Sequence, residues 1–275
     1  MELPPATHQK IDREGWKLAF TGHGSHEPLV AIALDVAAGR SGTCVRRSTH
    51  AETWIAKLDD TDIFVKILRP PRGMARIKRL VRGGPSNHVA AIAAQLKRDG
   101  IEAPSPMLTG IEASTGRELI VTERVRGTVM PRFLREQRDD IPRKRAVLRT
   151  LGAEIARLHA RGYIHGDLTP FNILVGKDEP PRFVFLDHER TRKTWLARLA
   201  RPRLRNFVQL GRFALSGLTR TDRMRVWSGY AAERSDSRSE LRRAVRMIRD
   251  RIARDAVKAR NSPKPIVARG EATET

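Results

Sequence analysis

Tyr163-Ile164-His165-Gly166-Asp167-Leu168-Thr169-Pro170-Phe171-Asn172-Ile173-Leu174-Val175 is the stretch whose reading decides the fold of this 275-residue chain. Upstream, Asp140 and Pro142 open a segment in which Val147, Leu148, Leu151, Ile155 and Leu158 lie on one helical face, and Gly162 closes it. Downstream, Ile173 to Val175 and Phe183 to Leu186 read as short strands separated by the turn-forming stretch Gly176 to Pro181. The quoted residues therefore form a loop between a long helix and a β-hairpin. That loop carries Asp167 and Asn172, and Phe183-Val184-Phe185-Leu186-Asp187 delivers a second carboxylate from the end of an apolar strand. A hairpin between Asn172 and Asp187 brings these oxygens together. Phosphoryl transfer needs such a set: a carboxylate that orients and deprotonates the attacking hydroxyl, here Asp167, and oxygen ligands for Mg²⁺, here Asn172 and Asp187.

The Asp and Asn match the catalytic loop of protein kinases in residue type and spacing. Upstream, Ile63-Phe64-Val65-Lys66-Ile67 puts one lysine inside an otherwise apolar strand. A charge there needs a partner, and ATP phosphates supply one. Each residue alone has a plainer explanation. A lysine in an edge strand usually snorkels to water, Asp167 could cap a turn, and Asn172 could hold a loop. In the order Lys66, Asp167, Asn172, Asp187, with the right separations, they predict a two-lobed, protein-kinase-like α+β fold with a β-rich N-lobe and a helical C-lobe.

The rest of the chain is divided accordingly. Residues 1–28 carry little pattern and are expected to be an N-terminal extension. An N-lobe is expected over 29–123, a C-lobe over 124–261 and a flexible tail over 262–275. Leu29 to Val36 reads as a strand or short buried element, followed by Gly39 and Gly42. Thr53 to Leu58 and Asp62 to Leu68 read as a hairpin about Asp59-Asp60-Thr61. Ser86 is expected to cap a helix that ends at Gly100, and Leu119 to Thr122 is expected to be a further strand.

Composition excludes several classes. The single cysteine, Cys44, rules out an internal disulfide and a cysteine-rich zinc site. No run approaches the roughly 18 apolar residues of a membrane span, and Met1 to Lys10 lacks a signal-peptide pattern. The net charge of +22 invites a nucleic-acid reading, but arginine outnumbers lysine 42 to 11 and aromatics are only 5%. Stacking platforms for single-stranded bases want more aromatic residues, so no specific nucleic-acid partner is expected. The charge is also uneven: residues 191–260 hold 20 Lys/Arg against 6 Asp/Glu. There Leu241, Val245, Ile248 and Ile252 share a helix face flanked by arginines, which could rest on anionic lipid or pack on the domain with a solvated arginine face.

The loop His-Gly-Asp-Leu-Thr-Pro-Phe-Asn, the strand Phe-Leu-Asp-His-Glu-Arg, the hinge-like Leu119 to Gly127, and the segments Leu204 to Leu210 and Thr219 to Arg225 together resemble the bacterial lipopolysaccharide kinase family, the Kdo and heptose kinases. The resemblance runs from about Val45 to Tyr230, and the helical segment after Asp187 narrows it. It implies Lys66 as the ATP-phosphate lysine, Asp167 as the base, and Asn172 and Asp187 as Mg²⁺ ligands. It also implies a hinge at Glu123 and Val125 that receives adenine through backbone groups; of a glycine loop only Gly39 and Gly42 are present, and an ordinary strand turn explains them equally well. The expected partners are ATP, a glycolipid or sugar acceptor, and an anionic membrane touched peripherally. The expected location is cytoplasmic, on the inner face of the cell membrane.

Departures shape the reading. The helix acid that normally pairs with the strand lysine is missing, because the stretch reads Asn87-His88-Val89. Either Asn87 or His88 substitutes, another carboxylate reaches in, or activity is reduced. Gly166 stands where protein kinases carry the arginine that answers a phosphorylated activation loop. The chain between Asp187 and the next helical pattern at Trp195 is too short for a peptide-binding segment. A glycan acceptor is therefore favoured over a protein. An atypical, activation-loop-poor protein kinase and a nucleotide-binding pseudokinase remain the alternatives.

Overall fold

A computed structural model describes residues 7–22, 25–70, 84–213, 215, 217–235 and 238–261. The expected tail at 262–275 lies outside the described residues. The chain divides into two compact units. One holds the described residues up to Gln95 together with Pro104–Val125, and the other holds Leu96–Ala103 and the described residues from Arg126 onward.

The first unit is a seven-stranded antiparallel sheet. Its strands are β1 (Thr7–Arg13), β2 (Trp16–Gly22), β3 (Thr43–Arg47), β4 (Ala51–Leu58), β5 (Thr61–Leu68), β6 (Pro106–Glu112) and β7 (Glu118–Glu123). Their order is β1-β2-β6-β7-β5-β4-β3. The expected β4–β5 hairpin is present, with Asp59 in the left-handed region at φ 53°. Residues 1–28 differ from the expected extension, because Thr7–Gly22 folds as a hairpin that extends the sheet beyond β6. The alternation of Trp16, Leu18 and Phe20, all buried, drives this. Leu29 to Val36 is also not a strand. It lies in α1 (Glu27–Ala37), with Pro28 in the first turn, and its buried residues Leu29, Val30, Ala33, Leu34, Val36 and Ala37 follow a helical spacing. They pack on the sheet face that carries Ile63, Val65, Leu119 and Val121.

The opposite face of β5 and β7 carries Leu68 and Ile120, which meet Val89 of α2 (Pro85–Arg98). Ser86, expected as the cap of this helix, lies one residue inside it. Its backbone N–H donates to the buried Glu118 carboxylate at 2.7 Å, so a side chain from β7 does the capping.

The second unit is mainly helical, with α3 (Met130–Glu136), α4 (Ile141–Ala160), α5 (Ala200–Gly211), α6 (Arg220–Ala232) and α7 (Arg238–Asn261). Asp140 caps α4 through its side chain and the Arg143 N–H at 3.1 Å. Helices α4 and α6 touch backbone to backbone. A Cβ at Gly152 would sit 2.0 Å from the Val226 carbonyl oxygen, and one at Gly229 would sit 1.9 Å from the Arg149 carbonyl oxygen. Only glycine permits that approach. At one end of the contact, buried Lys144 pairs with buried Asp222 at 3.3 Å, and Asp222 is also part of the capping box of α6.

Helix α7 turns Val245, Ile248 and Ile252 toward a cavity of about 500 Å³ that Phe207, Leu210 and Trp227 also line. Of the two readings of this helix, packing on its own unit is the one seen, with Arg242, Arg243, Arg246 and Arg251 exposed.

Candidate active site

Short strands carry the loop in the second unit, where Thr128–Val129 (β8) also pairs with Leu174 and Val175. Tyr163–Ile164 (β9) leads into it, and Ile173–Val175 (β10) with Phe183–Phe185 (β11) forms the antiparallel hairpin beyond it. Two side chains of α5 suspend the loop itself. Asn206 Oδ1 accepts from the His165 N–H at 3.3 Å, and Gln209 Oε1 accepts from the Leu168 N–H at 3.2 Å. Gln209 Nε2 donates to the Gly166 carbonyl at 2.6 Å, and Asn206 Nδ2 donates to Gln209 Oε1 at 3.0 Å. Both residues are buried, so these bonds are made away from water and leave few alternatives. His159 of α4 extends the network, with Nε2 at 3.1 Å from Asn206 Oδ1 and Nδ1 at 3.1 Å from the Tyr230 hydroxyl. Burial pushes the His159 imidazole down to about 4, against the pull of the Asn206 hydrogen bond. Burial likewise pushes the His165 imidazole down to about 4, against the neighbouring Asp187 carboxylate. Both are neutral at pH 7.

The structure brings three of the expected residues together here. Asn172 donates Nδ2 to the Asp167 backbone carbonyl at 2.9 Å and lies 3.5 Å from the Asp167 carboxylate. Its amide nitrogen is thereby committed to Asp167, and its Oδ1 is the atom suited to a cation. Leu186 N–H donates to the Asn172 carbonyl at 2.9 Å, which ties the residue before Asp187 to the loop. Asp187 itself is left-handed, at φ 65° and ψ 67°. Aspartate tolerates this region better than most residues, and such departures gather at functional sites. Among the described residues no group of three or more His, Cys, Asp or Glu side chains could hold a metal. One amide oxygen and one carboxylate suit Mg²⁺, which keeps waters and takes phosphate oxygens for the rest of its shell.

After Asp187 the chain folds at once onto the loop. His188 lies 2.7 Å from the Phe185 carbonyl oxygen through Nε2, and the Thr191 hydroxyl donates to the His165 carbonyl at 3.1 Å. Arg192–Lys193 (β12) pairs with β9, and a 3₁₀ turn at Trp195–Arg198 leads into α5. Gly166 has φ 78°, and a Cβ there would lie 2.3 Å from the Arg190 carbonyl oxygen. The backbone after Asp187 thus occupies the space in which a side chain at 166 would begin.

The other expected residues belong to the first unit. Lys66 is half-buried on β5 and opposite Ile120, on the sheet face that meets α2. Glu123 ends β7 and is exposed, and half-buried Val125 follows Arg124, which is pinned to Asp62 by a backbone bond of 3.0 Å and a side-chain bond of 2.7 Å. Gly39 and Gly42 lie between α1 and β3, both with positive φ. At Gly42 a Cβ would meet the Ile55 carbonyl oxygen at 3.0 Å, so the chain's own packing calls for glycine there. The turn between β3 and β4 contains Ser48, Thr49 and His50, closed by Ser48 Oγ accepting from Ala51 N–H at 3.0 Å. Asn87 is exposed and His88 half-buried. Sequence reasoning missed Glu118, a carboxylate two residues from Ile120 on the Lys66 side of the sheet, and the roles of Asn206 and Gln209.

A model of the lipopolysaccharide kinase (Kdo/WaaP) family matches residues 76–230. The chain is 33% identical over 122 residues to the EKC/KEOPS complex subunit BUD32 of Encephalitozoon cuniculi, covering 44% of this chain and 57% of that protein. It is 33% identical over 129 residues to the probable serine/threonine-protein kinase BUD32 homolog of Archaeoglobus fulgidus, covering 46% of this chain and 56% of that protein. The match thus spans little more than half the length of these relatives. The solved structure of WaaP in complex with acyl carrier protein is similar at a TM-score of 0.60 and 23% identity, over 81% of this chain and 91% of that one. At that identity the likeness speaks for the fold, which is kinase-like.

Proposed function

The chain belongs to the lipopolysaccharide kinase (Kdo/WaaP) family, and we propose that it transfers the γ-phosphoryl group of ATP to a sugar hydroxyl of a lipopolysaccharide core or related glycolipid. The observation that carries this reading is the loop bearing Asp167 and Asn172, which α5 suspends by its backbone at His165, Gly166 and Leu168, with the chain after Asp187 folded directly onto it. Asp167 accepts the proton of the acceptor hydroxyl as its oxygen bonds to phosphorus and the bond to the ADP oxygen breaks. Asn172 and Asp187 would hold Mg²⁺, which would neutralise charge on the phosphates, and the motif set assigns Lys66 of β5 to the phosphates. The short run from Asp187 to α5 supports a glycan acceptor over a peptide. Transfer of radiolabelled phosphate from ATP to purified lipid A core tests the assignment, with loss in Asp167→Ala expected. No transfer to any core glycolipid, with wild type indistinguishable from that variant, refutes it.

A protein-kinase reading has one observation in its favour, the 33% identity to the BUD32 proteins. Autophosphorylation or labelling of a protein substrate in place of glycolipid would select it. Peripheral contact with an anionic membrane is supported by the 3₁₀ turn before α5, where Trp195, Leu196 and Leu199 are exposed beside exposed Arg192 and Arg201. No helix among the described residues is long and apolar enough to cross a membrane. Trp195→Ala is expected to weaken binding to phosphatidylglycerol vesicles in a co-sedimentation assay.

A further inference from the structure

We propose that Arg212 binds a phosphate-type oxyanion beside the catalytic carboxylate and supplies the positive charge that the loop itself lacks; the inference rests on the kinase reading above. Transfer of a phosphoryl group spreads negative charge over three oxygens, and the protein has to meet it with fixed cations. Between Asp167 and Asn172 this chain has Leu168, Thr169, Pro170 and Phe171, none of them cationic. The cation comes instead from the end of α5. Arg212 Nη2 lies 3.9 Å from Asp167 Oδ1, the ion pair that Asp167 makes among the described residues.

That distance is too long for a hydrogen bond, and the two side chains are 43% and 33% exposed. A pair of this kind contributes little to stability, and its guanidinium keeps N–H groups for another acceptor. Its location is nevertheless held from several sides. The Arg212 N–H donates to the Val208 carbonyl at 3.0 Å as the last bond of α5. The guanidinium lies over the Phe213 ring at 5.0 Å, and Phe213 meets Phe171 of the loop edge-on at 5.4 Å. Arg223 of α6 donates to the carbonyls of Gly211 and Phe213, clamping the backbone on both sides of Arg212. A half-exposed arginine on so constrained a backbone is suited to recognition: its planar fork fits two oxygens of a phosphate or carboxylate. An oxyanion within reach of a hydroxyl seated at Asp167 has two sources. One is the phosphoryl group in transfer, and the other is a phosphate or carboxylate carried by the acceptor glycan.

Three measurements on the full chain separate them: slow ATP hydrolysis without acceptor, transfer to core glycolipid, and the thermal shift caused by inorganic phosphate. Arg212→Ala is expected to lose the phosphate-induced shift and to lower transfer on the order of 100-fold, with Arg212→Lys recovering part of both. If the transferring phosphoryl group is the ligand, hydrolysis falls in parallel and the acceptor KM holds. If the acceptor's own anion is the ligand, hydrolysis holds and the acceptor KM rises. Where Arg212→Ala itself melts several degrees lower, Arg212→Gln, which keeps two methylenes and a planar polar head but no charge, decides the matter. Wild-type hydrolysis, transfer and phosphate shift in the folded variant would overturn the proposal. Asp167→Asn is the separate control: full activity there sinks the kinase reading, whereas a dead Asp167→Asn beside a normal Arg212→Ala sinks only this inference.

Discussion

The loop at Asp167 and the turn at Gly39–Gly42 carry residues that the sequence nominates for the same reaction, yet they are built in opposite ways. Around the loop, Asn206, Gln209, His159 and Thr191 bind backbone groups or one another away from solvent. At the turn, Gly39 is exposed and a Cβ there would meet nothing within 4 Å. The lesson is that this chain commits its buried polar side chains to fixing the backbone of the loop that carries Asp167 and Asn172. The first unit relies instead on sheet register to present Lys66.

The sharpest way to break that contrast is Asp167→Asn, expected to lower phosphoryl transfer on the order of 1,000-fold with the melting temperature unchanged within a few degrees. Next comes the suspension of the loop. Asn206→Ala leaves the His165 N–H and the His159 ring short of a partner in a buried site, at roughly 1–3 kcal/mol. It should lower kcat by about tenfold or more, and thermal melting with steady-state kinetics reads both effects. Wild-type kcat would show that α5 does not hold the loop in working geometry.

Acid sensitivity follows from the same network. His159 and His165 sit near 4 when folded and at about 6.5 when unfolded. Between those values the unfolded chain binds more protons, so stability falls as the pH is lowered through that window. Going from pH 7 to pH 5 is expected to cost on the order of 2 kcal/mol per histidine, checked by urea denaturation at both pH values. His159→Gln should flatten the dependence.

The smallest effect is expected at the turn. Gly39→Ala has room for its methyl group and meets only the left-handed backbone cost, about 1 kcal/mol, with ATP affinity changed less than twofold by calorimetry. A tenfold loss of affinity would give the turn a role in nucleotide binding and dissolve the contrast.

Much of the site was legible because its parts lie close along the chain. The periodicity of Val147 to Leu158, the cap at Asp140 and the hairpin between Asn172 and Asp187 are local patterns, and the structure keeps them. Within the expected extension at 1–28, the strands of Thr7–Gly22 leave only a faint trace although Trp16, Leu18 and Phe20 alternate, because Pro, Gly and His around them obscure a short strand. Leu29 to Val36 was ambiguous for a physical reason: a continuous apolar run has no period until its partner surface is known.

By itself the sequence nominated an ordered set, Lys66, Asp167, Asn172 and Asp187, and placed the last three on a loop and a hairpin. Tertiary structure decided what holds and surrounds that set. Asn206 and Gln209 reach the loop from 41 residues away, Arg212 arrives at Asp167 from the end of the same helix, and Arg190 fills the space over Gly166. Helix periodicity and turn chemistry act over a few residues and leave a local trace. The pairing of buried polar groups distant in sequence is set only when helices pack, because it depends on which faces meet and which backbone groups have lost water.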